Sequence, residues 1–216
     1  MTQLLLLFIV AAGVLTITPG VDTAMVLRTS AADGPRGGGA ASLGICLGLL
    51  AWGTGAAFGL TALLAASATA FTLVKWAGAA YLLYLGAKLI LKPRASLTAA
   101  NTTAGNTADG SAVMKKGTRD AFQRGFLSNI LNPKVGVFYI TFLPQFIPQG
   151  VNVAAFSILL AGIHVLLTLL WFSLLIALTV PLGRFLAKPR VVRNLDRLTG
   201  CVFVGFGLRL ALAKRA

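Results

Sequence analysis

The sequence contains no glutamate, and this absence belongs to a general scarcity of charge. Its five acidic residues are all aspartates, and charged residues of both signs make up only 11% of the 216-residue chain. Soluble domains carry about 25% charged residues. Apolar residues make up 57% of the chain and the mean hydropathy is +0.85. These values exclude most soluble fold classes and indicate an integral membrane protein.

Histidine and cysteine are almost as scarce, since the chain has His164 alone and two cysteines, Cys46 and Cys201. No Cys-x-x-Cys pair or Cys/His cluster marks a metal site, and no nucleophile–base set indicates an enzyme, so we expect neither a cofactor nor catalysis. A membrane thiol-electron carrier would need two cysteines that can meet. A metal-ion exporter would need several carboxylates, histidines or cysteines. Both remain as weaker alternatives to the function argued below.

Long uncharged runs predict the membrane spans. Residues 37–74 and 135–183 contain no charged side chain. Because a transmembrane helix needs roughly 20 apolar residues, the first run has room for one span and the second for two. The apolar runs between charges predict six transmembrane helices, and thus an all-α membrane protein: Leu4–Leu27, Ala40–Ala66, Phe71–Leu91, Gly125–Ile147, Val153–Leu182 and Leu198–Leu212.

The basic residues that give the net charge of +14 are unevenly placed along the chain. Fourteen of the nineteen lie in the connections 28–37, 88–124 and 184–197, four lie in the other connections and at the C-terminus, and Lys134 lies within a predicted span. The positive-inside rule puts the three basic connections in the cytoplasm and both termini outside. Basic loops on one membrane face favour contact with anionic lipids, and we expect no nucleic-acid partner.

A polar segment divides the six spans into two groups of three. Residues 95–116 are rich in Thr, Ala, Asn and Gly and lack apolar periodicity, which is typical of a flexible linker. We therefore expect a first three-helix repeat at 1–91, a cytoplasmic linker at 92–121 and a second repeat at 122–216. Since three is an odd number, the second repeat must cross the membrane in the opposite sense, as in many secondary transporters with inverted repeats.

Two sequence echoes relate the halves. Residues 86–91 and 207–212 both read Gly-x-basic-Leu-x-Leu, and residues 18–20 and 132–134 each place a proline inside an apolar run. Proline lacks the amide proton that an interior helical position needs and suits the first helical position.

The residues before these prolines, Thr18 and Asn132, are good N-cap residues. We therefore expect helices one and four to break at Pro19 and Pro133 and to restart inside the membrane. A restarted helix exposes N–H groups that suit a carboxylate.

Ionisable residues near these breaks are candidate functional groups. Asp22 and Lys134 form the obvious pair of opposite charges, and with no glutamate present Asp22 is the only acidic residue in a predicted span. Asp22 can instead be an interfacial residue that pairs with Arg28 or with water, and Lys134 can snorkel to the cytoplasmic interface. His164 lies near the middle of span five and is either functional or a neutral histidine hydrogen-bonded between helices.

The second predicted span contains Gly44 and Gly48 in a G-x-x-x-G arrangement. Close packing of helices is the ordinary role of this motif. It is also compatible with a homodimer, so a second copy of the chain is a possible partner.

Four segments resemble the LysE/RhtB family of amino-acid exporters. They are TPGVDTAMVLR (18–28), the glycine-rich residues 37–64, WAGAAYLLYLGAKLI (76–90) and FQRGFLSNILNPKVGVFYITFLPQF (122–146). One departure is Val21, where the family more often has the second proline of a P-G-P motif. The resemblance implies export of amino acids or close derivatives, driven by protons, across a bacterial inner membrane. It leaves basic, small hydroxylated and branched apolar amino acids open as substrates.

The resemblance also implies the site residues. It places Pro19, Gly20 and Asp22 on one wall of the pathway and Asn129, Asn132, Pro133 and Lys134 on the other. Thr18 and His164, which the arguments from capping and from intramembrane charge indicate, complete the predicted site. The substrate carboxylate would meet Lys134 and a restarted helix end, and the ammonium would meet Asp22. Protonation of Asp22 would then couple proton entry to substrate release.

Overall fold

Every regular element in the described part of the chain is helical. The structure, a computed structural model, describes residues 2–66, 68–93, 117–178 and 188–212. Its elements are α1 (Thr2–Ile17), α2 (Val21–Ala66), α3 (Ala68–Leu91), α4 (Thr118–Ile130), α5 (Pro133–Val137), a π-helical turn (Phe138–Phe142), a 3₁₀ turn (Leu143–Phe146), α6 (Val153–Ala177) and α7 (Pro189–Leu212). The predicted linker segment 95–116 and the end of predicted span five lie outside the described residues.

The long helix α2 joins the first two predicted spans with a single interruption. Gly34 has φ 73° and ψ −173°, and Pro35 follows it directly. Glycine adopts a positive φ without the Cβ clash of other residues, and proline suits the start of a helix, so the chain redirects within one residue. The predicted connection of residues 28–37 is therefore wrong in its extent.

Two helices begin earlier than the sequence predicted. Helix α4 begins at Thr118, inside the predicted linker, and α7 begins nine residues before Leu198. In α7 the buried positions Val192, Asp196 and Thr199 follow a helical spacing, whereas the three arginines between residues 189 and 197 are exposed. This charged segment is thus an amphipathic helical turn and not the predicted loop.

Helices α2 and α4 pack backbone to backbone. A Cβ atom on Gly44 would lie 2.0 Å from the carbonyl oxygen of Phe122, and one on Gly125 would lie 2.1 Å from that of Ala41. Only glycine permits such an approach. Because α4 of the same chain covers the Gly44–Gly48 face, the motif gives no support to the predicted homodimer.

The apolar surface is suited to lipid. By length and composition, Val21–Gly59 and Val153–Ala177 can each cross a membrane, and Thr2–Ile17 and Ala79–Leu91 are shorter apolar helices. On α6, Leu166 is 63% and Leu170 is 71% exposed. Leucines in this position favour hydrocarbon over water.

An aromatic cluster fills the core beyond the second proline. It consists of Phe8 of α1, Phe138, Phe142 and Phe146 of the π and 3₁₀ turns, and Phe203 and Phe206 of α7. The ring centroids of Phe142 and Phe206 are 4.5 Å apart, and those of Phe8 and Phe146 are 5.3 Å apart. This cluster packs α1, α7 and the segment after α5 together on one side of the site.

Candidate functional site

A small polar cavity lies where the two proline-containing segments meet. Its volume is about 40 Å³, and since one water needs about 10–15 Å³ on this measure, it has room for a few waters. Seven of the nine predicted site residues line it: Thr18, Gly20, Asp22, Asn129, Asn132, Lys134 and His164. The two others, Pro19 and Pro133, lie at the helix ends beside it.

The first interruption covers residues 18–20, between the end of α1 at Ile17 and the start of α2 at Val21. The Thr18 hydroxyl donates to the Val14 carbonyl at 2.6 Å and also pairs with the Thr199 hydroxyl of α7. The Ala24 N–H donates to the Gly20 carbonyl at 2.9 Å. The expectation that Thr18 caps α2 is thus wrong, because α2 restarts after Gly20 and not at Pro19.

The second interruption is shorter and has a different cap. Helix α4 ends at Ile130, and α5 begins at Pro133. The Asn132 side-chain oxygen accepts the Lys134 N–H at 3.1 Å, which makes Asn132 the N-cap of α5.

Asp22 lies in the first turn of α2 and binds the opposite half of the chain. Its carboxylate accepts hydrogen bonds from the side chains of Asn129 at 2.9 Å, Asn132 at 3.2 Å and Ser128 at 3.2 Å. Asp22 therefore points into the interface between α2 and α4, which argues against the alternative in which it is an interfacial residue that pairs with Arg28 or with water. Sequence reasoning missed the contribution of Ser128.

Lys134 makes the reciprocal contact. Its ammonium donates to the carbonyl oxygens of Leu15 at 2.9 Å and Thr18 at 3.1 Å, both at the end of α1. The side chain thus points to the first interruption, which argues against snorkelling to the membrane interface. Each charged group is held by uncharged groups of the other half, and both charges line the same cavity.

His164 lies on the cavity wall formed by α6. The side chain is buried, and its Nδ1 is 3.2 Å from the Tyr139 hydroxyl in the π-helical turn. Its ring also lies 5.3 Å from that of Phe138. His164 therefore connects the cavity to the aromatic cluster.

An ion pair joins α2 and α4 away from the cavity. Arg124 Nη2 lies 3.7 Å from the Asp33 carboxylate, and the Arg124 side chain is 40% exposed. Together with the Asp22 contacts, this pair links the segment of α2 before Gly34 to α4 at two levels.

Comparison with known proteins decides the family. Residues 13–214 match the model of the LysE type translocators. The chain belongs to this family. The resemblance seen in the sequence is thereby confirmed, and the protein is a membrane translocator.

Relatives of this translocator extend over nearly its whole length. It is 36% identical to the uncharacterized membrane protein YrhP of Bacillus subtilis, over 97% of this chain and 99% of that relative. It is 30% identical to a leucine efflux protein of Enterobacter, over 94% of this chain and 93% of the relative. No solved structure matches it.

The alternative functions find no support in the residues that the structure describes. These residues contain no group of three or more metal-ligating side chains. Cys46 is buried and Cys201 is exposed, and both are free thiols.

The structure of this translocator adds residues that sequence reasoning missed. Three further threonines, Thr16, Thr23 and Thr168, line the cavity together with five apolar residues, Leu15, Ile45, Leu49, Val135 and Phe172. Thr168 follows His164 by one helical turn, so the shared face of α6 was a usable signal.

Asp196 is fully buried in α7, one turn before Thr199. Asp196 precedes predicted span six, so sequence reasoning did not single it out as a buried acidic residue.

Proposed function

We propose that this translocator exports amino acids with apolar side chains from the cytoplasm. One observation carries the proposal: a carboxylate and an ammonium, Asp22 and Lys134, line the same cavity. An amino acid carries the complementary charges one carbon apart. The substrate ammonium binds Asp22, and its carboxylate binds between Lys134 and the N-terminus of α2, where the helix dipole favours an anion.

The apolar part of the cavity supports the choice of side chain. Ile45 and Leu49 of α2 and Phe172 of α6 line it. Burial of a leucine-sized side chain contributes about 1.5–3 kcal/mol, whereas a charged side chain there would be costly. The leucine efflux proteins among the relatives of this chain agree with this substrate class.

The size of the cavity indicates that it is closed to substrate in this conformation. A volume of about 40 Å³ holds a few waters, but leucine has nine non-hydrogen atoms. Substrate entry therefore requires α2 and α4 to separate, and the hydrogen bonds of Asp22 to α4 are the contacts that this motion must exchange.

The position of Asp22 supports proton antiport as the proposed coupling. The carboxylate that binds the substrate ammonium holds the substrate only while it is ionised. A proton that enters from outside neutralises Asp22 and releases the substrate, and loss of the proton to the cytoplasm resets the site. One carboxylate thus serves the substrate and the proton in turn.

The packing of the glycines that occur at matching positions of the two halves supports an inverted repeat. Gly86 of α3 packs against Gly200 of α7, where a Cβ on either one would lie 2.7 Å from the other's carbonyl oxygen. Gly207 packs in the same way against the Ala79 carbonyl, at 3.2 Å. If Gly86 corresponds to Gly207, and the Gly78–Ala79 region to Gly200, these two contacts are equivalents under a two-fold axis. This supports six spans in two inverted groups.

The same topology places both termini outside a bacterial inner membrane, with the basic connections in the cytoplasm. Single cysteines introduced at Thr2 and Arg119 in a Cys46→Ser, Cys201→Ser background test it in intact cells. A membrane-impermeant maleimide should label only position 2 before lysis. Labelling at position 119 before lysis would show that the orientation is the reverse of the one proposed.

Efflux from loaded cells tests the exported solute. Cells that express the protein are loaded with a leucine-containing dipeptide, and the leucine released is measured against vector controls. We expect faster release of leucine than of lysine or threonine from the corresponding dipeptides. Asp22→Asn should abolish the gain, while Asp120→Asn, a change at an exposed residue in the first turn of α4, should retain it. Equal release with Asp22→Asn would remove Asp22 from the mechanism.

A further inference from the structure

At each interruption the proline removes the helical donor of one backbone carbonyl. In an α-helix each carbonyl accepts from the N–H four residues later. Pro19 lies four residues after Leu15, and Pro133 lies four residues after Asn129. Since proline has no N–H, the carbonyls of Leu15 and Asn129 both need a donor from elsewhere.

The two carbonyls are satisfied by donors of different charge. Asn129 accepts from the Asn132 N–H at 3.0 Å and from the Trp52 indole at 3.4 Å, which are both neutral donors. Leu15 accepts from the Lys134 ammonium, which also binds the Thr18 carbonyl. The first interruption is therefore the one that holds a cation.

The surroundings of the Lys134 ammonium favour a cation. The carbonyls of Leu15 and Thr18 belong to the C-terminal end of α1, where the helix dipole is negative. Gly20 lies beside the ammonium, since a Cβ at that position would lie 3.9 Å from Lys134 Nζ. In carriers with interrupted helices, carbonyls at such helix ends coordinate the coupling cation.

We propose that the Leu15 and Thr18 carbonyls form a monovalent-cation site whose resident cation is the tethered ammonium of Lys134. The chain thus supplies its own cation, and the wild-type protein needs no Na⁺ or K⁺ at this position. Removal of the ammonium opens the site to a small cation from solution. This inference does not depend on which solute is exported.

Thermal unfolding of the purified protein tests the inference without a transport assay. Lys134→Ala is compared in choline chloride with the same concentration of sodium, potassium or methylammonium chloride. A cation that binds only the folded state raises Tm in a saturable way. We expect methylammonium, which reproduces the lost group, to raise Tm of Lys134→Ala by several degrees, with a smaller effect of Na⁺. Wild type and Lys92→Ala, which lacks an exposed lysine beyond α3, should show no selective response.

Equal responses of Lys134→Ala and wild type to all four salts would overturn the inference, and so would selective stabilisation of wild type by Na⁺. Because unfolding is the readout, either result leaves amino-acid export to be decided by the efflux assay.

A second variant covers the case in which Lys134→Ala does not fold. The Thr18 N–H still donates to the Val14 carbonyl at 3.0 Å, so Pro19→Ala would direct a new N–H toward the Leu15 carbonyl. Where Lys134→Ala alone does not fold, the double variant Pro19→Ala, Lys134→Ala should fold, because the new N–H replaces the donor that the Leu15 carbonyl has lost. Where Lys134→Ala does fold, the double variant should lose less stability than the single changes predict, since the two changes act on one carbonyl. Additive losses, or a double variant that also fails to fold, would contradict the proposed site.

Discussion

The side-chain amide of Asn129 donates a hydrogen bond to the Asp22 carboxylate across 2.9 Å, and this contact joins α4 to the first turn of α2. Asn129 is fully buried, and the residue four positions later is Pro133. The contact therefore fixes the carboxylate at the point where the two interruptions meet. The same contact therefore contributes to the packing of α4 on α2 and holds the negative charge of Asp22 in the cavity.

Loss of this amide should weaken both folding and export. A hydrogen bond to a charged group contributes about 1.5–3 kcal/mol, so we expect Asn129→Ala to lower the free energy of unfolding by that amount. Efflux of leucine should fall about tenfold or more, because 1.4 kcal/mol corresponds to a factor of ten. Asn194→Ala, at an exposed position of α7, is the control. Normal efflux by a folded Asn129→Ala protein would show that Asp22 needs no such support.

Gly48 should tolerate no side chain, because of the same asparagine. A Cβ at Gly48 would lie 2.5 Å from the Asn129 side-chain oxygen, whereas one at Gly55 in the same helix would meet nothing within 4 Å. Alanine is better than glycine within a helix by about 0.5–1 kcal/mol. We expect Gly55→Ala to keep or raise Tm, and Gly48→Ala to lower both Tm and efflux.

The comparison of these two variants distinguishes the intrinsic helix preference of alanine from the effect of packing against Asn129. If Gly48→Ala unfolds at the same temperature as Gly55→Ala, then Asn129 can move without loss and its contact with Asp22 is not fixed by α2.

The interruptions and their charges could be predicted from the sequence because their cause is local. A proline within an apolar run disturbs a helix wherever the helix packs, and Asp22 and Lys134 are conspicuous in uncharged segments. Their partners were not predictable, because Ser128 and the Leu15 carbonyl reach these charges only after α2, α4 and α1 have docked. The sequence predicts Asp22 and Lys134 as an opposite-charge pair, but it does not identify the neutral groups that also bind each of them.

The helix limits predicted from the sequence were wrong where a charged residue was taken as the end of a span. The segment from Pro189 to Arg197 has an apolar face and an exposed basic face, so it continues a helix although it is rich in arginine. The buried Asp196 was missed for this reason. Similarly, the sequence predicted a connection of ten residues at 28–37, whereas the structure has helix on both sides of Gly34. The positive φ of Gly34 changes the direction of the chain within one residue.

The Arg124–Asp33 pair should affect transport more than stability. With Arg124 40% exposed, solvent screening limits the pair to about 0.2–1 kcal/mol. Asp33→Asn should therefore change Tm little, but it removes a contact that holds α2 against α4, and the rate of leucine efflux should change. The exchanged variant Asp33→Arg with Arg124→Asp should return the rate toward wild type. An efflux rate unaffected by Asp33→Asn would exclude a role for this pair in opening.

The hydrogen bond between Tyr139 and His164 offers the last prediction. Tyr139→Phe keeps the ring against Phe138 of the aromatic cluster but removes the hydroxyl that lies 3.2 Å from the Nδ1 of the buried His164. An ordinary hydrogen bond contributes about 0.5–1.5 kcal/mol, and we expect Tyr139→Phe to lower the free energy of unfolding by this amount. Tyr81→Phe, at a residue 39% exposed on α3, is the matched control and should have no effect. If efflux by Tyr139→Phe falls in proportion to folded protein only, His164 has a structural role. If the rate per folded molecule also falls, the orientation of the His164 ring contributes to the pathway.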